Sequence, residues 1–179
     1  MQLADEVDTA RDLEFRTADA TLIAQLAADL GEDHGRYFAE RLPLQQEGLG
    51  EVLLARHAGV IVAAVFLYWG EADEPEVRRL LAKVPMLFHL HVHRPRRRHG
   101  IGTALLAEAE DRLRARGHPM VLLGVDKSNH DARRLYEGLG YVQPEEPELT
   151  DLRATSDPGE REHSVGETYD ILVADLYRA

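Results

Sequence analysis

One segment, Leu90-His91-Val92-His93-Arg94-Pro95-Arg96-Arg97-Arg98-His99-Gly100-Ile101-Gly102-Thr103, constrains this chain more than any other. A strand pattern over Met86–His93 runs into a turn dense in arginine and glycine, and the turn opens directly onto a helical pattern. In that helix, predicted over Ile101–Arg116, residues Ile101, Leu105, Leu106, Ala109 and Leu113 line one face, and Gly117 ends it. The first N–H groups of a helix have no intrahelical partner, and the helix dipole adds partial positive charge there, so such a start attracts anions. Gly100 and Gly102 remove Cβ atoms where a phosphate would approach the backbone, and the arginines add charge around it. The residues alone describe a diphosphate cradle. Two common phosphate-binding patterns do not fit. The P-loop lysine and serine are missing, because Gly102 is followed by Thr103-Ala104, and Leu105 stands where the third glycine of a dinucleotide fingerprint belongs.

Around this segment strands and helices alternate. Asp12–Arg16 reads as a short strand, with Thr17 as N-cap of a helix carrying Leu22, Ile23, Leu26 and Leu30 and stopped by Gly31. A second helix is predicted over Arg36–Arg41, breaking before Pro43. Glu51–Arg56 and Val60–Trp69 form a hairpin pattern about His57-Ala58-Gly59. Val77, Leu80 and Leu81 suggest a short helix within 71–85. Met120–Val125 reads as a buried strand, His130–Leu139 as a helix stopped at Gly140, Tyr141-Val142 as the opening of another strand, and Tyr169–Leu176 as a closing strand. The expectation is one α/β domain over 1–179 with a mixed sheet, a flexible lead-in at 1–11, an insertion at 71–85 and a long loop at 143–168.

Composition narrows the function classes. The chain has 179 residues and no cysteine, which excludes disulfides, zinc thiolates and thiol nucleophiles. A formal net charge of −11 argues against a general affinity for nucleic acid. The longest apolar run, Val60–Trp69, is too short to span a membrane, and Met1–Arg16 lacks the apolar stretch of a secretory signal, so a cytoplasmic location is expected. His89, His91 and His93 alternate along a strand and so share a face. Three imidazoles on one face can bind a metal, but no carboxylate is near them in sequence, and structural histidines without metal are the expectation.

The cradle residues resemble the GNAT superfamily of N-acetyltransferases, whose signature of Arg or Gln, two residues, Gly, one residue, then Gly or Ala is met by Arg97, Gly100 and Gly102. After the next strand comes Ser128-Asn129-His130-Asp131-Ala132-Arg133-Arg134-Leu135-Tyr136-Glu137-Gly138-Leu139-Gly140-Tyr141, which is similar to the family's second signature: an Asn, a helix bearing Leu-Tyr-Glu, and a Gly before an aromatic. The resemblance is close over Met86–Val142 and loose before it. It implies a mostly antiparallel sheet with helices on both faces and a splayed central strand pair that binds acetyl-CoA. It further implies that the backbones of Leu90 and Val92 pair with the pantetheine arm like an added strand. Arg97, Arg98, His99, Gly100, Ile101, Gly102 and Thr103 would surround the pyrophosphate, held through main-chain N–H groups from Arg98 to Thr103. Asn129 would bond the pantetheine or acceptor side. An amine would attack the thioester directly, Tyr136 would protonate the departing thiolate, and the Leu90 N–H would help stabilise the oxyanion. By residue type alone, Tyr136 reads first as a core aromatic, and Asn129 reads as an ordinary helix N-cap as well.

The resemblance fails at the general base. The positions where many members carry glutamate correspond here to Met86 and Gly124, neither of which accepts a proton. Asp126, Glu71, His91 and His34 stand as candidates, unranked. The acceptor wall would come from 31–50 and 143–168, helped by 71–76, and the carboxylates there (Glu32, Asp33, Glu40, Glu71, Asp73, Glu74, Glu145, Glu146 and Glu148) are either a negative ring that gathers a small cationic amine or simply solvated loop tips, and both readings stay open. Two other readings stay open: a catalytically weak acyl-CoA-binding sensor, and a protein N-terminal or lysine acetyltransferase. Dimers are frequent in the family, although the sequence itself does not set the oligomeric state.

Overall fold

Local chemistry sets most element boundaries. In the structure, a computed structural model that describes residues 10–70, 75–80, 83–145 and 169–178, the first strand is β1 (Glu14–Thr17) and the first helix α1 (Ala20–Leu30). The N-cap of α1 is Asp19, whose carboxylate accepts from the Leu22 N–H at 2.8 Å, and not Thr17. Thr17 instead donates its hydroxyl to the buried carboxylate of Glu51 at 2.6 Å. Gly31 ends α1 as expected. The second helix starts earlier than its sequence suggests: α2 covers Glu32–Ala39, and a separate helix α3 (Leu42–Gln46) carries Pro43 in its own first turn. A proline is harmless there, because the first-turn N–H it lacks would have no intrahelical partner.

Strands β2 (Gly50–His57) and β3 (Val60–Tyr68) take His57 into the strand and leave a two-residue turn, one residue shorter than expected, in which Ala58 (φ 50) and Gly59 (φ 81) both take the left-handed conformation of a tight hairpin. Helix α4 (Pro75–Leu80) and strand β4 (Met86–Val92) follow, and then helix α5 (Ile101–Ala115). The predicted face of α5, from Ile101 to Leu113, is buried throughout. Gly117 (φ 83) ends the helix, with the His118 N–H closing onto the Leu113 carbonyl at 3.1 Å. Strand β5 (Met120–Asp126), helix α6 (His130–Gly138) and strand β6 (Tyr169–Asp175) complete the order. Tyr141-Val142 opens no strand; Val142 makes one isolated bridge to Val173. The expected lead-in 1–11 and loop 143–168 lie mostly outside the described residues, as do 71–74 and 81–82 of the expected insertion.

The six strands are hydrogen-bonded in chain order, β1 to β6, in a sheet that is mostly antiparallel. Two compact units can be distinguished, Met1–Leu67 with His89–Asp111, and Tyr68–Phe88 with Arg112–Ala179. In the first, β1 pairs antiparallel with β2 from Glu14↔Arg56 to Thr17↔Leu53. Its core is Leu26, Phe38, Val52–Ala55, Ile61–Leu67 and Leu105. Helices α1 and α2 pack closely because Gly35 has no side chain; a Cβ there would lie 2.4 Å from the Cβ of Ala27. In the second unit, β5 pairs antiparallel with β6 from Met120↔Asp175 to Asp126↔Tyr169, and parallel with the start of β4 at Met86↔Leu122 and Leu87↔Leu123. Its core includes Val121–Leu123, Ile171–Ala174, Tyr136 and Tyr141. No described helix is long and apolar enough to cross a membrane.

Candidate functional site

The cradle is built from the chain between β4 and α5. After one turn of 3-10 helix at Arg94–Arg96, the backbone is left-handed at Arg98 (φ 66) and at Gly100 (φ 76). Left-handed residues in a turn gather successive N–H groups on one side and make an anion-binding concavity. The first intrahelical bond of α5 runs from the Ala104 N–H to the Gly100 carbonyl at 2.9 Å. The N–H groups of Ile101, Gly102 and Thr103 therefore precede the helical ladder. Arg98, Gly100 and Thr103 are exposed, whereas Ile101 is buried and anchors the helix start. Turn, dipole and exposure fit a diphosphate.

Leu90 and Val92 lie half-buried on β4. The Val92 carbonyl already accepts from Arg97 Nε at 3.1 Å, so Arg97 pins the end of the strand to the cradle turn. His99 likewise closes back on the Arg96 carbonyl at 3.2 Å.

Asn129 and Tyr136 belong to the other unit. Asn129 is the N-cap of α6, its side-chain oxygen accepting from the Ala132 N–H at 3.1 Å. Tyr136 is buried, with its ring centroid 5.8 Å from that of Tyr141. Burial pushes its phenol up to about 12. Gly140 (φ 88) ends α6, where the Tyr141 N–H bonds the Tyr136 carbonyl at 3.0 Å.

Of the candidate bases, Asp126 accepts from both the hydroxyl and the N–H of Ser128, and these two bonds hold its carboxyl below the usual range. Glu71 lies outside the described residues. His34 and His91 meet. Their ring centroids are 3.6 Å apart, and His34 Nδ1 lies 2.9 Å from His89 Nε2. His89 has left-handed backbone (φ 54), a departure from plain strand alternation, yet its ring and that of His91 both reach His34. Tyr37 stacks on His89 at 4.0 Å, and the guanidinium of Arg41 sits 3.4 Å from the centroid of Tyr37. Tyr37 and Arg41 escape a reading of the sequence for chemistry, although their spacing from His34, three and seven residues on, is that of one helical face. Among the described residues no group of three or more His, Cys, Asp or Glu is arranged to hold a metal ion.

Comparison with known proteins agrees with this architecture. No curated protein matches the chain. Among solved structures, the ribosomal-protein-S18-alanine N-acetyltransferase of Escherichia coli superposes with a TM-score of 0.62 at 19% identity, covering 93% of this chain and 96% of that one. An N-acetyltransferase from Staphylococcus aureus Mu50 gives 0.64 at 14% identity over 92% and 98% of the two chains. The PaiA N-acetyltransferase of Thermoplasma acidophilum, solved in complex with coenzyme A, gives 0.61 at 14% identity over 91% and 98%. At these identities the likeness establishes the fold. The model of the acetyltransferase (GNAT) family matches residues 18–141, which span the cradle and the α6 signature. The chain therefore belongs to the GNAT family and is an acyl-CoA-dependent acetyltransferase.

Proposed function

We propose that the protein moves an acetyl group from acetyl-CoA to a primary amine of a small, cationic molecule by direct attack. The observation that carries this reading is the left-handed turn at Arg98 and Gly100 opening onto the exposed start of α5. Main-chain N–H groups from Arg98 to Thr103 hold the diphosphate. The backbones of Leu90 and Val92 carry the pantetheine arm, and the Leu90 N–H faces the developing oxyanion. The bound thioester supplies an activated acetyl carbon. Tyr136 supplies the proton that the departing sulfur needs; its phenol, pushed up to about 12 by burial, is protonated at neutral pH.

The charge of the acceptor is argued from Glu32, Asp33, Glu40 and Glu145, which are exposed, within a chain of net charge −11. Such a field raises the local concentration of a cationic substrate and is screened by salt.

Calorimetry with coenzyme A and acetyl-CoA tests the first claim: one-to-one binding is expected, and no detectable heat would remove the reading. Release of coenzyme A against a panel of neutral amines and polyamines, at low and high salt, tests the second. Faster, salt-sensitive turnover of polyamines is expected, whereas equal rates without a salt effect eliminate the cationic acceptor. Binding without turnover of any amine would make the protein an acyl-CoA-binding module.

A further inference from the structure

We propose that His34 is the general base of the transfer: its Nε2 takes the first proton from the acceptor's ammonium, while its Nδ1–H is held by Nε2 of His89. The inference rests on the acetyl-transfer reading above. An ammonium cannot attack, so something must remove a proton first. Met86 and Gly124 cannot, and the Asp126 carboxylate is engaged by Ser128. The histidine cluster stands beside the proposed thioester position, because His89 and His91 flank Leu90 on β4. His34 reaches them from the first turn of α2, where the missing side chain of Gly35 lets α2 lie against α1.

Electrostatics selects among the three rings. A hydrogen-bonded pair of neutral imidazoles shares one proton between the facing nitrogens, so one ring donates and the other accepts. His89 is the better acceptor to keep neutral. Desolvation first, then His34 and then the Arg41 guanidinium, all disfavour charge on it. His91 is held down to about 4 by desolvation first, and then by His34, His89, Arg97 and His93. For His34, desolvation and Arg97 also disfavour the cation, but Asp33 favours it. That carboxylate lies 3.7 Å from Arg36 in an exposed pair and, among the described residues, is the one anion whose charge bears on any of the three rings. An arriving proton is therefore best stabilised on His34. Its Nδ1–H bond to His89 then orients the ring, as a base needs a third group to fix its tautomer.

The proton balance closes. One ammonium N–H bond breaks toward His34 Nε2, the freed lone pair forms the C–N bond, and the C–S bond breaks. Tyr136 protonates the departing sulfur, the second nitrogen proton replaces the one Tyr136 gave, and His34 returns its own proton to solvent, so one proton is released per turnover.

Four measurements test this. His34→Gln should lower kcat at about pH 7 by about 10²–10⁴-fold with unchanged acetyl-CoA affinity. That deficit should close as the pH passes the acceptor's own pKa. It should be absent with hydroxylamine, which is already neutral at about pH 7. Side-chain 15N spectra of the wild-type protein without ligand should show His34 protonated at Nδ1, a readout independent of turnover and of how the variant folds. Wild-type rates in His34→Gln, a deficit that stays constant with pH, or a His34 protonated at Nε2 would each overturn the assignment and leave acetyl transfer standing. Failure of the wild-type protein to bind coenzyme A, or to acetylate any amine, would instead strike the underlying reading and take the base with it.

Discussion

In the proposed site, the chain offers a ligand its main chain between Val92 and Thr103, and side chains between Asn129 and Tyr141. In the first region the proposed groups are N–H donors, and the turn depends on left-handed backbone at Arg98 and Gly100. Its arginine side chains are largely exposed, and one of them, Arg97, is spent on the Val92 carbonyl. In the second region the proposed groups are one phenol and one amide, held by a short helix with a capped start and a glycine-terminated end. A main-chain site should tolerate changes of exposed side chains and fail when the backbone or its charge is altered. A side-chain site should fail when a single atom is deleted.

The sharpest way to break this contrast is Gly100→Asp. An aspartate there must hold φ near 76, and it brings a negative charge to the place proposed for a diphosphate. Coenzyme A affinity should fall more than about 100-fold, the scale of a few kcal/mol, as read by calorimetry. Unchanged affinity would mean that the cradle lies elsewhere.

Next in size is Tyr136→Phe, which removes one oxygen from the other region. Turnover should drop about 100-fold, while acetyl-CoA affinity stays within about twofold. The phenol also leaves a mark on stability. Its folded pKa is raised to about 12 by burial, so above the ordinary tyrosine value the unfolded chain loses the proton first. Wild-type stability should therefore decline between about pH 10 and pH 12 through this group, and the phenylalanine variant should lack that part of the decline. Equal alkaline slopes in denaturation curves would show that Tyr136 is not desolvated in the native state.

The same contrast explains what the sequence could reveal. Local backbone requirements are written in residue type: Gly100, Gly117 and Gly140 mark left-handed positions, and Ala58-Gly59 marks a hairpin. The turn before α5, helix α5 itself and the end of α6 were legible for that reason. Where two residues could serve the same local role, the reading slipped. Thr17 and Asp19 are both good caps, and only the tertiary bond from Thr17 to Glu51 decides between them. Pro43 looked like a stop, yet it is the first turn of its own helix. The histidine cluster was legible only in part. His89 and His91 announce themselves on one strand, but His34 lies more than fifty positions away and meets them only because α2 folds over β4. No local pattern carries that contact.

The smallest expected effect separates the two meanings of Asn129. Its side-chain oxygen caps α6, so Asn129→Ala should cost about 1 kcal/mol, or a Tm lower by about 2–4 °C for a chain of this size. Asn129→Asp keeps an oxygen for the Ala132 N–H and puts a negative charge at a helix start, where the dipole favours it, so stability should return to the wild-type level. The aspartate has no amide N–H to give. If the second region works through donated side-chain groups, as proposed, the aspartate variant should be fully stable yet slower by about tenfold, the worth of roughly one hydrogen bond in the transition state. Recovery of both stability and rate would reduce Asn129 to a cap. The second region would then depend on the Tyr136 phenol alone, and the difference between the two regions would narrow to backbone amides on one side and a single hydroxyl on the other.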